Sequence, residues 1–126
     1  MSEIYLEHVN ITVRDPEVTA ALYSKLFGWK IRWQGTAIHG GVTLHVGGKD
    51  SYVALYTKGD YEPAADSYSH VGGINHIAVV VDDLDAIEER VRKAGCDIHS
   101  HADYEPGRRF YFNDPDAVEV EVVSYA

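Results

Sequence analysis

Cysteine is nearly absent from this chain, occurring once, at Cys96. One thiol closes no internal disulfide and supplies neither a CxxC redox pair nor a zinc-ribbon cluster, so a reducing compartment is the simplest setting. Long apolar runs are missing too: no stretch approaches the roughly 20 residues needed to span a bilayer. The opening MSEIYLEHVN has no basic region followed by an apolar core, and we expect a soluble, cytoplasmic protein with no membrane partner. Basic residues are scarce. Eleven Lys and Arg against twenty Asp and Glu give a formal charge of −9 with no basic stripe, which excludes nucleic acid as a partner. Phosphate-loop spacing is also lacking, and the GG pairs at 40, 47 and 72 read as hairpin turns.

What is present is a repeat. The 126 residues suit one compact domain, and LEHVNITVRDPEVTAALYSKLFGWKI aligns with INHIAVVVDDLDAIEERVRKAGCDI. His8 meets His76, Val13 meets Val81, Asp15 meets Asp83 and Lys25 meets Lys93; after a one-residue gap Gly28 meets Gly95. Each half opens with a β-rich run followed by an aspartate placed to begin a helix, and each helix closes on a glycine suited to the left-handed position. Val18, Ala21, Leu22 and Leu26 mark the expected buried face of the first helix, and Leu84, Ile87 and Val91 that of the second. Short β-like segments follow each helix: WKIRWQG, VTLHVGG and SYVALYT, then CDIHSHAD, RRFYFND and AVEVEVVSYA. The expected fold is α+β, one domain over 1–126 made of two βαβββ modules, 1–68 and 73–126, forming a curved mixed sheet with helices outside. The polar stretch KGDYEPAADSYSHVGG reads as the linker.

Strand alternation turns the repeat into chemistry. In HVNITV, His8, Asn10 and Thr12 share one face while the aliphatic residues share the other, which must meet the helix. The same rule puts His76 away from the second helix. In VEVEVV, Val118, Val120 and Val122 can pack on helices only if Glu119 and Glu121 face the histidine side. A packed histidine or a solvated glutamate is the simpler account of each residue taken singly. Two neutral imidazoles and a carboxylate on one surface, however, form the facial triad that leaves open positions on Fe(II), Mn(II) or Zn(II).

The paired modules, the histidine at the head of each first strand, and FYFNDPDAVEVEVV together resemble the vicinal oxygen chelate superfamily, which includes glyoxalase I, extradiol dioxygenases, fosfomycin-resistance thiol transferases and bleomycin-resistance proteins. Phe112, Asp114, Pro115 and Asp116 match its closing motif, Ala117 and Val118 replace Gly-Asn, and Val120 and Glu121 supply the aliphatic and the glutamate. The resemblance implies that His8, His76 and Glu121 ligate a divalent metal ion, Fe2+, Mn2+ or Zn2+, with Glu119 as the fallback. It further implies a metalloenzyme (a dioxygenase, lyase or transferase) whose metal chelates vicinal oxygens of a small-molecule substrate, and a homodimer. Ala54 of YVALYT falls where glyoxalase I would have a glutamate, so the site is expected to be more like that of a dioxygenase or thiol transferase. No cluster of lysine and serine suits a phosphonate. The alternative is a non-enzymatic, bleomycin-resistance-like small-molecule binding protein.

Asn10, Arg108, Arg109 and Tyr111 are the expected substrate-binding residues, since an arginine beside the closing turn can hold an anionic group by a forked contact. His39, His45, His70, His99 and His101 read as solvated or packed, and HSHAD as a segment away from the centre.

Overall fold

A computed structural model describes residues 3–104 and 106–126, and they divide into two compact units, one ending at Tyr61 and the other starting at Glu62. The first unit runs β1 (His8–Thr12), α1 (Pro16–Phe27), β2 (Lys30–Thr36), β3 (Val42–Gly47) and β4 (Tyr52–Thr57). The second runs β5 (Ile77–Val80), α2 (Leu84–Lys93), β6 (Asp97–Tyr104), β7 (Gly107–Asn113) and β8 (Glu119–Ser124). Each unit is therefore a βαβββ module. The strands form two four-stranded mixed sheets, ordered β1-β4-β3-β2 and β5-β8-β7-β6; β1 pairs parallel with β4 and β5 with β8, and the other pairings are antiparallel. No helix is long and apolar enough to cross a membrane among the described residues.

Both helices start where the aspartates stand. Asp15 accepts the backbone N–H groups of Glu17 and Val18, and Asp83 accepts that of Ala86, so each satisfies donors that the first turn leaves unpaired. Gly28 (φ 72°) and Gly95 (φ 81°) take the left-handed conformation beyond the helix ends.

The buried face of α1 includes the expected Leu26 but otherwise differs from the expected one, Leu22 being half-buried. Pro16, Thr19, Ala20, Tyr23 and Leu26 point inward, whereas Val18 is 57% exposed and Ala21 is exposed as well. Both stripes satisfy helical spacing. Counting apolar letters favours Val18 and Leu22, but the inward stripe uses the small Ala20 for close approach and the large, fully buried ring of Tyr23, which packs with Phe27 and Trp29, to fill the core. In α2 the buried residues are Leu84, Ile87 and Val91, as periodicity indicates, and the facing strands contribute Phe110, Phe112, Val120 and Val122, all fully buried.

The turn between β7 and β8 closes on Asp114 with Ala117 and Val118 in place. Asp114, itself buried, accepts the backbone N–H groups of Asp116 (2.9 Å) and Val118 (3.0 Å) through Oδ1, and the Ala117 N–H returns to the Asp114 carbonyl. The substitution shows in the backbone instead: Ala117 sits at φ 63°, where its Cβ is strained. Ala117→Gly is expected to raise stability by about 0.5–1 kcal/mol, the relieved strain less the freedom that glycine adds to the unfolded chain. Urea unfolding checks this, and a lowered midpoint would refute it.

Candidate metal and substrate site

On the second unit's sheet, the face away from α2 carries a connected polar cluster. Val120 and Val122 anchor β8 against the helix layer, which turns Glu119 and Glu121 to the other side. Glu121 is buried, with 8% of its side chain exposed, and its Oε2 accepts a 3.1 Å bond from Nη1 of Arg109, whose side chain is 12% exposed. Its other oxygen, Oε1, lies 3.3 Å from Nε2 of His76. His76 stands one residue before β5 and also faces Glu119, with Nδ1 3.2 Å from Oε2. Tyr111 presents its ring edge-on to His76 at 5.6 Å. The expected residues His76, Glu121, Arg109 and Tyr111 are thus brought together. Arg108 is not, since alternation sends it to the opposite side, where it pairs with Asp85 of α2 at 3.2 Å.

Two members of this cluster escape a reading by pattern. Tyr68, in the linker-like stretch, donates a 2.6 Å hydrogen bond to Glu119 Oε2, and that contact holds its phenol above the ordinary tyrosine value. His99, expected away from the centre, faces it: its ring stacks on Tyr111 at 6.2 Å and Nε2 lies 4.0 Å from Glu119. The cause is a bulge in β6. Ile98 pairs with Phe112 and Ser100 with Tyr111, so His99 is an extra residue and the alternation resets after it. His101 consequently lies on the helix side, 2.9 Å from Glu88.

In the first unit the corresponding face is aromatic. His8 stacks on Tyr52 at 4.7 Å, and its Nδ1 lies 2.9 Å from Glu7 Oε1, a contact that lowers the glutamate's pKa. His45 also stacks on Tyr52, at 4.3 Å, with Trp33 beside it at 5.2 Å. Burial, then the charges of His8 and Arg32, push the His45 pKa down, which favours the neutral ring. Asn10, exposed, is opposite Ala54 in the pairing of β1 with β4.

The registers of the two sheets correspond position by position. Ala54 lies opposite Asn10 and His45; Glu121 lies opposite Ala78 and Tyr111. Ala54 therefore occupies in the first sheet the place of Glu121 in the second, and Tyr52 that of Glu119. A bulge recurs at Arg32, between Ile31 and Trp33, and the Arg32 guanidinium lies 4.5 Å over the Tyr52 ring. The first unit offers an imidazole at the head of its strand but no carboxylate on β4.

A family model described as the Glyoxalase/Bleomycin resistance protein/Dioxygenase superfamily matches residues 5–122. The chain belongs to this superfamily. No curated protein matches it. Among solved structures of the superfamily's fold, it resembles a glyoxylase/bleomycin resistance protein/dioxygenase domain from Frankia sp. EAN1pec, with 24% identity, a TM-score of 0.81 and 98% of each chain covered. It also resembles the fosfomycin resistance protein FosX of Mesorhizobium loti, at 28% identity and a TM-score of 0.72, over 98% of this chain and 92% of that one. A third likeness is to glyoxalase I of Leishmania major, at 21% identity and a TM-score of 0.74, over 98% and 88%.

Divalent metals are general in the superfamily, and the second unit can be tested for fit. Among the described residues no group of three His, Cys, Asp or Glu side chains forms a complete ligand set. The pair that is present has suitable chemistry. A neutral imidazole carries one proton, yet His76 faces a carboxylate oxygen from each ring nitrogen. If Nδ1 carries it toward Glu119, Nε2 confronts Glu121 lone pair to lone pair, and either a second ring proton or a cation between them resolves the conflict. Two donors bound at right angles to an ion at about 2.1 Å stand about 3 Å apart, close to the separation here.

Proposed function

We propose that the chain is a metal-dependent enzyme that binds a small substrate through two neighbouring oxygen atoms, with His8, His76 and Glu121 as ligands to Fe2+, Mn2+ or Zn2+. The observation that carries this reading is the pair of carboxylates on His76, one at each ring nitrogen. With the ion bound, Glu119, 3.2 Å from Nδ1, would take the ring proton on that side and leave Nε2 as donor, an arrangement common around metal-bound histidines. When bound, the ion would polarise the substrate oxygens as a Lewis acid. Arg109 offsets the charge of Glu121 through one oxygen while the other faces His76. Tyr111 walls the site and Asn10 offers an amide to the substrate. Ala54, in the place of a second carboxylate, supports dioxygenase or thiol-transferase chemistry over that of glyoxalase I.

The ion pair between Arg109 and Glu121 also favours a second reading: a metal-free binding protein of the bleomycin-resistance kind, in which arginine already serves the buried carboxylate. Native mass spectrometry of protein made without a histidine tag and loaded with Mn(II), Fe(II) or Zn(II) separates the two. The expected result is a homodimer carrying one ion per chain. Dimers that take up none of the three ions would leave the binding-protein reading in place.

A further inference from the structure

We propose that Tyr68 is a positioning residue that fixes the orientation and tautomer of His76 through Glu119; the proposal rests on the metal-site reading above. Glu119 Oε2 is the shared atom, receiving the Tyr68 hydroxyl at 2.6 Å and facing His76 Nδ1 at 3.2 Å. A hydroxyl-to-carboxylate bond of this length belongs to the strong, charge-assisted class. A glutamate side chain turns about three bonds, and anchoring one oxygen restrains its carboxylate. A fixed carboxylate at Nδ1 favours the proton there, and a cation between Nε2 and Glu121 completes the choice by using the Nε2 lone pair.

The segment presenting Tyr68 is built to hold it still. Asp66 Oδ1 accepts the Tyr68 N–H at 3.1 Å and Oδ2 accepts the Ser69 hydroxyl at 2.7 Å. The N–H groups of Ser69, His70 and Gly73 return to Asp66, Ser67 and His70 carbonyls, and His70 Nδ1 meets the Asp66 carbonyl. The turn closes tightly enough that a Cβ on Gly73 would lie 2.5 Å from the Ser67 carbonyl oxygen. None of these contacts uses the Tyr68 hydroxyl. Its removal therefore tests the link to Glu119 and spares the turn.

The test compares the full-length, untagged parent with Tyr68→Phe by two measurements. The first is titration with Mn(II) alone. The second is the nitrogen chemical shifts of the His76 ring in metal-free protein, at a pH about two units above the ordinary imidazole value. We expect the variant ring to carry less of its proton at Nδ1 than the parent ring does, with Mn(II) affinity lowered roughly tenfold, as for loss of a group supporting a ligand. Glu119→Gln should produce the same change, and Tyr68→Phe should add nothing to it. Unchanged ring shifts in Tyr68→Phe overturn the proposal whatever the affinity does. So does unchanged affinity in a parent that binds. A parent that binds no Mn(II) overturns the metal-site reading instead, and the ring shifts alone then decide whether Tyr68 positions His76.

Discussion

Glu121→Ala is expected to lose stoichiometric metal binding, an affinity drop of at least about a hundredfold, and to lose about 2–3 kcal/mol of stability at the same time. The first loss follows from removing the donor that faces His76 Nε2. The second has a separate origin. Arg109 and Glu121 are both largely buried, and deleting one partner of such a pair leaves the other's desolvation uncompensated by that contact. Glu121→Gln separates the effects, since an amide can still accept from Arg109 but is a poor ligand. It should keep more of the stability and lose the ion. Arg109→Met runs the other way. With its neighbouring cation gone, Glu121 should become the more dependent on a bound metal, so added ion should raise the variant's melting temperature more than the parent's. Metal titration and thermal unfolding of the three variants check this set. Full metal affinity in Glu121→Ala would remove Glu121 from the site.

The larger effect on the fold is expected at Phe112. Its ring is fully buried on the α2 side of the sheet, 6.4 Å from Phe110, and its backbone pairs with Val120, between the two glutamates of β8. Phe112→Ala should cost about 4 kcal/mol, the transfer energy of the ring plus that of the cavity left behind. Against a typical total of about 5–15 kcal/mol this removes roughly a quarter or more of the stability. With a urea slope of about 2 kcal/mol per molar, the midpoint should fall by roughly 2 M. A loss under about 1 kcal/mol would mean that the layer between α2 and the sheet closes over the gap.

Much of the architecture was legible because two signals with different periods agree. Aspartate and glycine bracket each helix for reasons of capping, and the valines of β8 alternate with glutamates for reasons of burial, so the face of Glu119 and Glu121 could be read without coordinates. The α1 face was misjudged because hydrophobicity counts Val18 for more than Thr19 or Tyr23, while packing rewards shape. Tyr68 was illegible for another reason: its bond to Glu119 joins residues 51 apart in sequence, and nothing local in SYSH announces it. The separation of Arg108 from Arg109 was open to strict alternation, since neighbours on a strand without a bulge cannot share a side.

The bulges in β2 and β6 bear on how relatives of this chain are compared. Each is a one-letter insertion that shifts the strand's reading frame: His99 and Ser100 both belong to the face away from α2, and only from His101 does the helix-facing phase resume. An alignment that scores letters and places its gap a residue or two away would equate His99 in one protein with a helix-facing residue in another. Strand length up to the insertion, more than the identity of the letter in a column, decides which histidine of HSHAD a relative shares with this one.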